Sequence, residues 1–484
     1  MNALEGEAKL LIRELKTLEL VKLIETEELQ RIPKSAQVSE RARKQGNALY
    51  VKQHHTTEEH FEILKFYCKS ITFAPNQSEE LACAYGNRSA LLFHLKKWSE
   101  CIQDVERALA ITLDENLRIK LTKRRDKSLQ LFNLTIELEK RRKELSSQLN
   151  GHNSDEKLKN LDESSKLSLE NNNDNLLSRK KLCDSVKIQH SAKYGRYLAA
   201  KRDIRPGEII LVEKPYVNSF NTQNLYPHCG HCLAVNWAGV PCEHCGWMMY
   251  CSEKCRKDAW EQYHDIECFC IFYICYFSNH AKEYTGKEIR FDGIGIRVLL
   301  KALKEAGSLE KLKVQMKSVD QCADPCKRGF SKNGRFESDK FISLYSLSHS
   351  VSRSEKKGLA IFAAIALTCI AKYTKFFGEA FKFSVNALLE SSNAIFIGSL
   401  LLRLSTISSI NSHCVLNATD KCKYFRDEET CIEKWCCTRG TCILPIASLT
   451  NNNCSPNASR CYTEDQKLIL FAIQPIKKNS QVNV

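Results

Sequence analysis

From Leu10 to Leu29, leucine and isoleucine recur at three- and four-residue steps among glutamate and lysine. That is the period of a helix with one buried face. The helical pattern continues to about residue 150. Across 151–184 the chain turns to Asn, Ser, Asp, Glu and Lys, with Asn171, Asn172, Asn173, Asp174 and Asn175 in succession. Such a stretch cannot bury enough apolar surface to order itself and predicts a flexible linker. The period then changes from helical to extended. Tyr194–Ala200 leads into Ile204–Val212, with Pro206-Gly207 ahead of a β-branched run, a turn-then-strand signal. From Cys270 to about Leu402 the pattern is helical again, with helices expected over 297–313, 341–351, 357–375 and 380–390. The apolar run Gly358–Ala371 lies between Lys356, Lys357 and Lys372. It is short for a bilayer span and reads as a buried helix; the aromatic and aliphatic positions of 339–349 read as core.

Within the first 150 residues, Gly46-Asn47-Ala48 is echoed forty residues later by Gly86-Asn87-Arg88-Ser89-Ala90. Small residues there let paired helices approach closely. Tyr67–Ile71 followed by Ala74-Pro75, and Trp98, Cys101, Asp104 and Ala108 downstream, complete the pattern. It resembles a tetratricopeptide-like array with one unit longer than the usual period. Arg43, Asn47, Asn87, Lys120 and Arg124 fall where chaperone-binding domains of that kind place a carboxylate clamp. The resemblance implies a grip on the acidic C-terminal tail of a chaperone through charge-assisted hydrogen bonds. The alternative is that Lys120, Arg124 and Arg125 form a solvated helix face.

Cys229 to Cys268 holds seven cysteines and a histidine in ligand spacing: Cys229-x2-Cys232, Cys242-x2-Cys245, Cys251-x3-Cys255 and His264-x3-Cys268. Zinc takes thiolate and imidazole donors in fours, and a short loop supplies two corners of a tetrahedron. His264 and Cys268 are one helical turn apart. Disulfides are the competing reading, but nothing in the sequence points to an oxidising compartment. His228, His231 and His244 sit off the pattern and read as exposed loop histidines. The ligand order resembles the MYND zinc finger. That likeness implies that Cys229, Cys232, Cys251 and Cys255 share one ion and that Cys242, Cys245, His264 and Cys268 share the other. A finger this small draws much of its folding energy from metal.

The region around the finger resembles a SET domain. Gly195-Arg196 matches its cofactor loop and Pro206-Gly207-Glu208 its first turn. Asn451-Asn452-Asn453-Cys454-Ser455-Pro456-Asn457 matches four of the six fixed positions of its Asn-His-Ser-Cys-x-Pro-Asn knot, with Asn452 replacing His. Asn411-Ser412-His413 resembles the short strand that touches the cofactor. A finger inserted after the first strands marks the SET-and-MYND family of protein-lysine methyltransferases, and the helical array makes the layout most like its tetratricopeptide-bearing fourth member. The likeness implies S-adenosyl-L-methionine contacts at Gly195, Arg196, Asn411, Ser448, Asn451 and Asn452, two zinc ions, and a protein substrate offering a lysine, histone or otherwise. The family's channel tyrosine is expected just past the position of Val484, so no residue of this sequence is assigned the catalytic role. Cys414, Cys422, Cys431, Cys436, Cys437 and Cys442 lie in a connection longer than the family's and lack a Cys-x2-Cys knuckle; they read as an inserted loop rather than a third metal site.

The expected architecture is α+β and multidomain: a helical array at 1–150, a linker at 151–184, a first SET part at 185–228, the finger at 229–268, a helical insert at 269–402 and the second SET part at 403–484. Bulk properties add little. A hydrophobic content of 43% supports true cores. The formal charge of +15 falls to about +12 once seven thiolates and two divalent ions are counted. That excess suits acidic partners, but it equally describes a solubilising surface. The finger mixes Glu243, Glu253, Asp258, Glu261, Asp265 and Glu267 with Lys254, Arg256 and Lys257, which argues against direct binding of nucleic acid. The opening is charged rather than a signal peptide, so cytoplasm and nucleus are expected. The alternative to an enzyme is a zinc-dependent adaptor that binds chaperone tails and proline-rich peptides.

Overall fold

A computed structural model describes residues 4–26, 33–52, 56–149, 185–220, 225–285, 293–415, 439–463 and 466–484. The predicted linker lies outside the described residues, as do Cys422, Cys431, Cys436 and Cys437. The N-terminal region is helical: α1 (Glu5–Thr17), α2 (Glu19–Thr26), α3 (Ala36–Tyr50), α4 (Thr57–Phe73), α5 (Glu79–His94), α6 (Trp98–Leu109) and α7 (Glu115–Leu149). Side chains start several of these helices. Ser35 caps α3, Ser78 caps α5, and Thr56 with Glu59 forms a reciprocal capping box on α4. Each cap satisfies backbone N–H groups that have no partner in the helix. Successive helices α3 to α7 pack on one another. Gly46 is needed where α3 meets α4, because a Cβ there would sit 2.6 Å from the Tyr67 ring.

The first two helices leave this array. Helix α1 packs instead on α13 (Arg353–Tyr373) and α15 (Ser392–Asn411), and α2 on α13. Leu11 of α1 crosses α15 at Gly398, where a Cβ would come within 2.5 Å of it. Glu7 is buried there, accepting from Arg403 Nε at 2.9 Å and Lys356 Nζ at 3.0 Å. Helix α15 is long and apolar enough to cross a membrane by length and composition, but 67% of its apolar window is buried inside the protein.

The extended part begins with the antiparallel pair β1 (Val186–Ser191) and β2 (Gly195–Ala200). β3 (Ile209–Glu213) pairs with β10 (Leu468–Ala472), which pairs with β9 (Ala458–Tyr462). β4 (Val217–Phe220) pairs with β8 (Gly440–Ile443), which pairs with β7 (Ser412–Val415). Both three-stranded sheets thus join residues before the finger to residues near the C-terminus. Inside the finger, β5 (Val240–Pro241) pairs with β6 (Met249–Tyr250), and α8 (Glu253–Ala259) runs through a π turn at Trp260–His264 into α9 (Asp265–Thr285).

The helices of the insert differ from their expected bounds. The run at 297–313 is two helices, α10 (Ile294–Ala306) and α11 (Leu309–Asp320). Gly307, at φ +78, ends the first and Ser308 caps the second. The helix expected at 341–351 is only α12 (Phe341–Tyr345), and that at 380–390 only α14 (Val385–Glu390). The expected boundary at 402/403 falls inside α15, and Asn411 ends that helix rather than lying in a strand. Periodicity located the apolar faces but could not see where caps interrupt them.

Candidate functional site: two four-donor clusters and a threaded loop

The ligand atoms of Cys229, Cys232, Cys251 and Cys255 all lie within 4.8 Å of one another, and so do those of Cys242, Cys245, His264 and Cys268. Separate turns supply each corner. β5 and β6 bring Cys242 beside Met248, whose carbonyl accepts from the Cys242 N–H at 2.9 Å. Ser252 caps α8 by accepting from the Cys255 N–H at 3.2 Å. The Cys232–Cys251 and Cys251–Cys255 sulfurs are 3.5 Å apart, and Cys242–Cys268 are 3.8 Å apart. A tetrahedron of thiolates on zinc has edges of about 3.8 Å, given a Zn–S bond near 2.3 Å. The Cys245 Sγ to His264 Nε2 separation of 3.6 Å fits a mixed S–N edge. A disulfide would need sulfurs at about 2.05 Å, and these cysteines are free thiols. Backbone N–H groups of His231, Cys232 and His244 point at Cys229 and Cys242 sulfur at 3.4–3.5 Å. Donors of this kind suit an anionic thiolate. The two sets could each hold a metal ion.

A buried carboxylate fixes the histidine. His264 Nδ1 lies 2.8 Å from Glu267 Oε2, so Nε2 faces the sulfurs. Glu267 also accepts from Arg297 Nε at 2.6 Å. Arg297 Nη1 donates to the carbonyls of Asn218, at 2.8 Å, and Gly230, at 2.7 Å. Arg297 therefore ties β4, the first knuckle and the histidine brace together. Glu267, three residues after His264, was the available sequence signal; Arg297 had none.

Two of the histidines expected in exposed loops are placed otherwise. His228 is buried and stacks on Phe61. His231 is half-buried, with Nδ1 2.9 Å from the Tyr263 hydroxyl. Both are covered because the helical array and the π turn fold over the finger. His244 is exposed beside Trp260. The array contact is built on Arg88, fully buried, whose guanidinium meets Asp104 at 2.6 and 2.8 Å and the Gly239 carbonyl at 2.6 Å. Arg107 donates to the Ala238 carbonyl, and Asn76 to that of Glu243.

Of the clamp positions, Asn47 and Asn87 come together, with Asn87 Nδ2 donating to Asn47 Oδ1 at 2.6 Å. Tyr67 donates to the same oxygen. Arg124 is committed to the Gly86 carbonyl and Ser89 Oγ. Lys120 is exposed and Arg43 half-buried.

The residues matched to cofactor contacts lie on β2, at the end of α15, in a 3-10 turn and on the segment after that turn. β2 lies against the 3-10 turn Ala447–Leu449. Gly195 has φ +63, and a Cβ there would meet nothing within 4 Å, so the space beside it is open. The Arg196 guanidinium is spent on the carbonyls of Arg328 and Ser346; only its backbone is left for a ligand. Asn411 Nδ2 donates to Ser348 O and Ile407 O, both at 2.8 Å. Ser448 Oγ reaches Asn411 O at 3.2 Å. Asn451 bridges in parallel to Asn483, and Asn452 is exposed on the same segment. Residues 481–484 are laced against 451–458: Val484 N donates to Asn451 O, Asn453 N to Val484 O, Ala458 N to Asn483 O, and Asn457 Nδ2 to Gln481 O. Below the turn, both oxygens of Glu213 accept backbone N–H groups, from Ile446 and Ala447, each at 2.8 Å. Burial pushes the Glu213 carboxyl up to about 8 against the pull of those two donors.

Comparison with known proteins gives this geometry a family. The chain is 23% identical over 474 residues to protein-lysine N-methyltransferase SMYD4 of Danio rerio, covering 89% of this chain and 56% of that protein. It is 24% identical over 489 residues to the SMYD4 of Pongo abelii, covering 86% and 60%. Histone-lysine N-methyltransferase ASHR1 of Arabidopsis thaliana is 23% identical over 297 residues, covering 61% and 48%. The chain thus spans less than two thirds of the length of these relatives. The SET domain model matches residues 195–484, more than half of the chain; the chain belongs to the SET domain family, within its SET-and-MYND branch and most like SMYD4.

Proposed function

We propose that the chain is an S-adenosyl-L-methionine-dependent protein-lysine N-methyltransferase acting in cytoplasm and nucleus, with two structural zinc ions in its finger. The observation that carries the reading is the laced loop. The 451–458 segment is held by 481–484, which pair in turn with Leu198 and Ala199 of β2, and Ser448 just ahead of it is joined to Asn411 at the α15–β7 junction. Bound there, S-adenosyl-L-methionine supplies an electrophilic methyl group on a sulfonium. The residues of the chain bind and orient. Backbone groups of Gly195 and Arg196 line the open space at β2, Ser448 and Asn411 fix the opposite wall, and Asn451 and Asn452 present amides from the loop. Buried Leu198, Leu449 and Val482 keep water from behind it. Transfer to a lysine amine is an in-line displacement, helped by alignment and by excluding water. The eight finger donors would hold zinc as a scaffold, since each set is complete with four protein ligands and leaves no open position. Titration calorimetry of the full chain with S-adenosyl-L-methionine tests the reading. Saturable binding supports it; none at millimolar cofactor favours the adaptor.

The adaptor has one observation in its favour: the Asn47 and Asn87 amides meet at 2.6 Å across α3 and α5. As a clamp, they would take an acidic chaperone tail, with a proline-rich peptide on the finger. Replacing both asparagines by alanine should weaken a chaperone C-terminal peptide; unchanged affinity ends that idea.

A further inference from the structure

One imidazole links the segments that frame the proposed cofactor site. His413 is the second residue of β7, opposite Cys442 in register, and only 9% exposed. Its Nε2 lies 3.1 Å from Ser448 Oγ, and its Nδ1 2.7 Å from Arg460 Nη1 on β9. Ser448 Oγ in turn lies 3.2 Å from the Asn411 carbonyl. The direction of this chain is forced. A guanidinium only donates, so His413 Nδ1 must accept. A neutral ring then carries its proton on Nε2 and donates it to Ser448 Oγ. The Ser448 hydroxyl is left to donate to the Asn411 carbonyl. Three strands or turns, β9, β7 and Ala447–Leu449, are joined by hydrogen bonds that all run one way.

We infer that His413, locked by Arg460 as the neutral Nε2–H tautomer, is a positioning residue that holds the Ser448 turn against the Asn411 end of α15, the two segments beside the proposed cofactor site. The inference deepens the methyltransferase reading and rests on it. Both ring nitrogens are committed, so His413 is not a proton acceptor in the reaction. Burial first, and the Arg460 cation second, hold its imidazole down to about 4. The other groups near it leave the lock intact. Cys442 on β8 and Tyr462 on β9 are both pushed up by burial and stay neutral. Cys414 adjoins it on β7. Glu213 on β3 is turned to the Ile446 and Ala447 N–H groups.

The test is calorimetric titration of the full chain with S-adenosyl-L-methionine between pH 5.5 and about 7, the span around the midpoint of an unperturbed histidine and below that of Glu213. The unaltered chain should bind with an affinity flat across that range. Arg460→Met leaves burial to keep the ring neutral but frees Nδ1 to carry the proton in place of Nε2, so its affinity should fall about threefold at every pH as the Nε2–H tautomer is no longer enforced. His413→Leu should weaken binding about tenfold at every pH, the scale of one lost hydrogen bond. His413→Gln, whose amide can still donate to Ser448, should recover most of that loss, and adding Arg460→Met to it should cost less than Arg460→Met does alone, because an amide has no tautomer to lose. Wild-type affinity for Arg460→Met, or for His413→Leu, overturns the lock. Failure of the unaltered chain to bind cofactor overturns the methyltransferase reading itself, and His413 loses its assigned role with it.

Discussion

Replacing Arg88 by methionine asks whether the helical array and the finger are one cooperative unit. Arg88 and Asp104 are both fully buried, and two hydrogen bonds of 2.6 and 2.8 Å join them. The same guanidinium reaches Gly239 O in the finger at 2.6 Å. Methionine keeps most of the apolar stem but supplies no donor, so a carboxylate and a carbonyl stay buried with fewer partners. Breaking a buried ion pair from one side costs about 3–5 kcal/mol. Arg107 keeps its 3.1 Å contact to Asp104. The cost therefore falls at the lower end, about 3 kcal/mol, or more than a hundredfold in the folding equilibrium. Urea titration followed by far-ultraviolet circular dichroism reads it, with metal content checked in parallel. Adding Asp104→Leu should return much of the loss, because removing both partners leaves no orphaned charge. A single-variant loss below about 1 kcal/mol, or a double variant whose loss equals the sum of the two singles, refutes the reasoning.

Three other outcomes follow from named contacts. Glu267→Gln should lower metal affinity about 10–100-fold at the cluster containing His264, with a smaller effect on the other cluster, which Glu267 reaches only through Arg297. Stepwise release to a chelator checks this, and simultaneous loss of both ions at the wild-type concentration contradicts it. Burial alone would raise the Glu7 carboxyl, but hydrogen bonds and charge from Arg403 and then Lys356 outweigh it and bring the group down to about 2. A depressed folded-state value means that its stabilisation is present above the ordinary value of 4.5 and is lost as pH falls toward 2. Glu7→Gln should flatten that part of the acid limb in unfolding measurements; parallel curves for the two proteins would refute the assignment. Glu213→Leu would leave the Ile446 and Ala447 N–H groups without their side-chain acceptors, costing about 1–3 kcal/mol. Hydrogen exchange at Ile446 and Ala447 should quicken, and unchanged protection would show that the Glu213 side chain does not hold the turn.

Local chemistry carried much of this protein in the open. Ligand spacing from Cys229 to His264 and Cys268 is short-range: each knuckle or helical turn places two donors, whatever surrounds it. The apolar period likewise marked Gly358–Ala371 as a buried helix, and the described structure buries it from Ala360 to Ala371. Helix ends were less legible, because a single capping serine at 308 or a left-handed glycine at 307 outweighs an unbroken apolar period. What the sequence could not disclose are partners distant along the chain. Arg88 reads as one cation among 72 Lys and Arg residues, yet it is buried against Gly239, 151 residues away. Glu7 meets Arg403 across 396 positions, and His413 becomes a one-way link only when β9 brings Arg460 to its ring. The sequence by itself determined the metal-type donors and the helical periods, since those depend on spacing within a few turns. The tertiary structure alone decided which charges are buried and paired, because that depends on which surfaces fold together to exclude water.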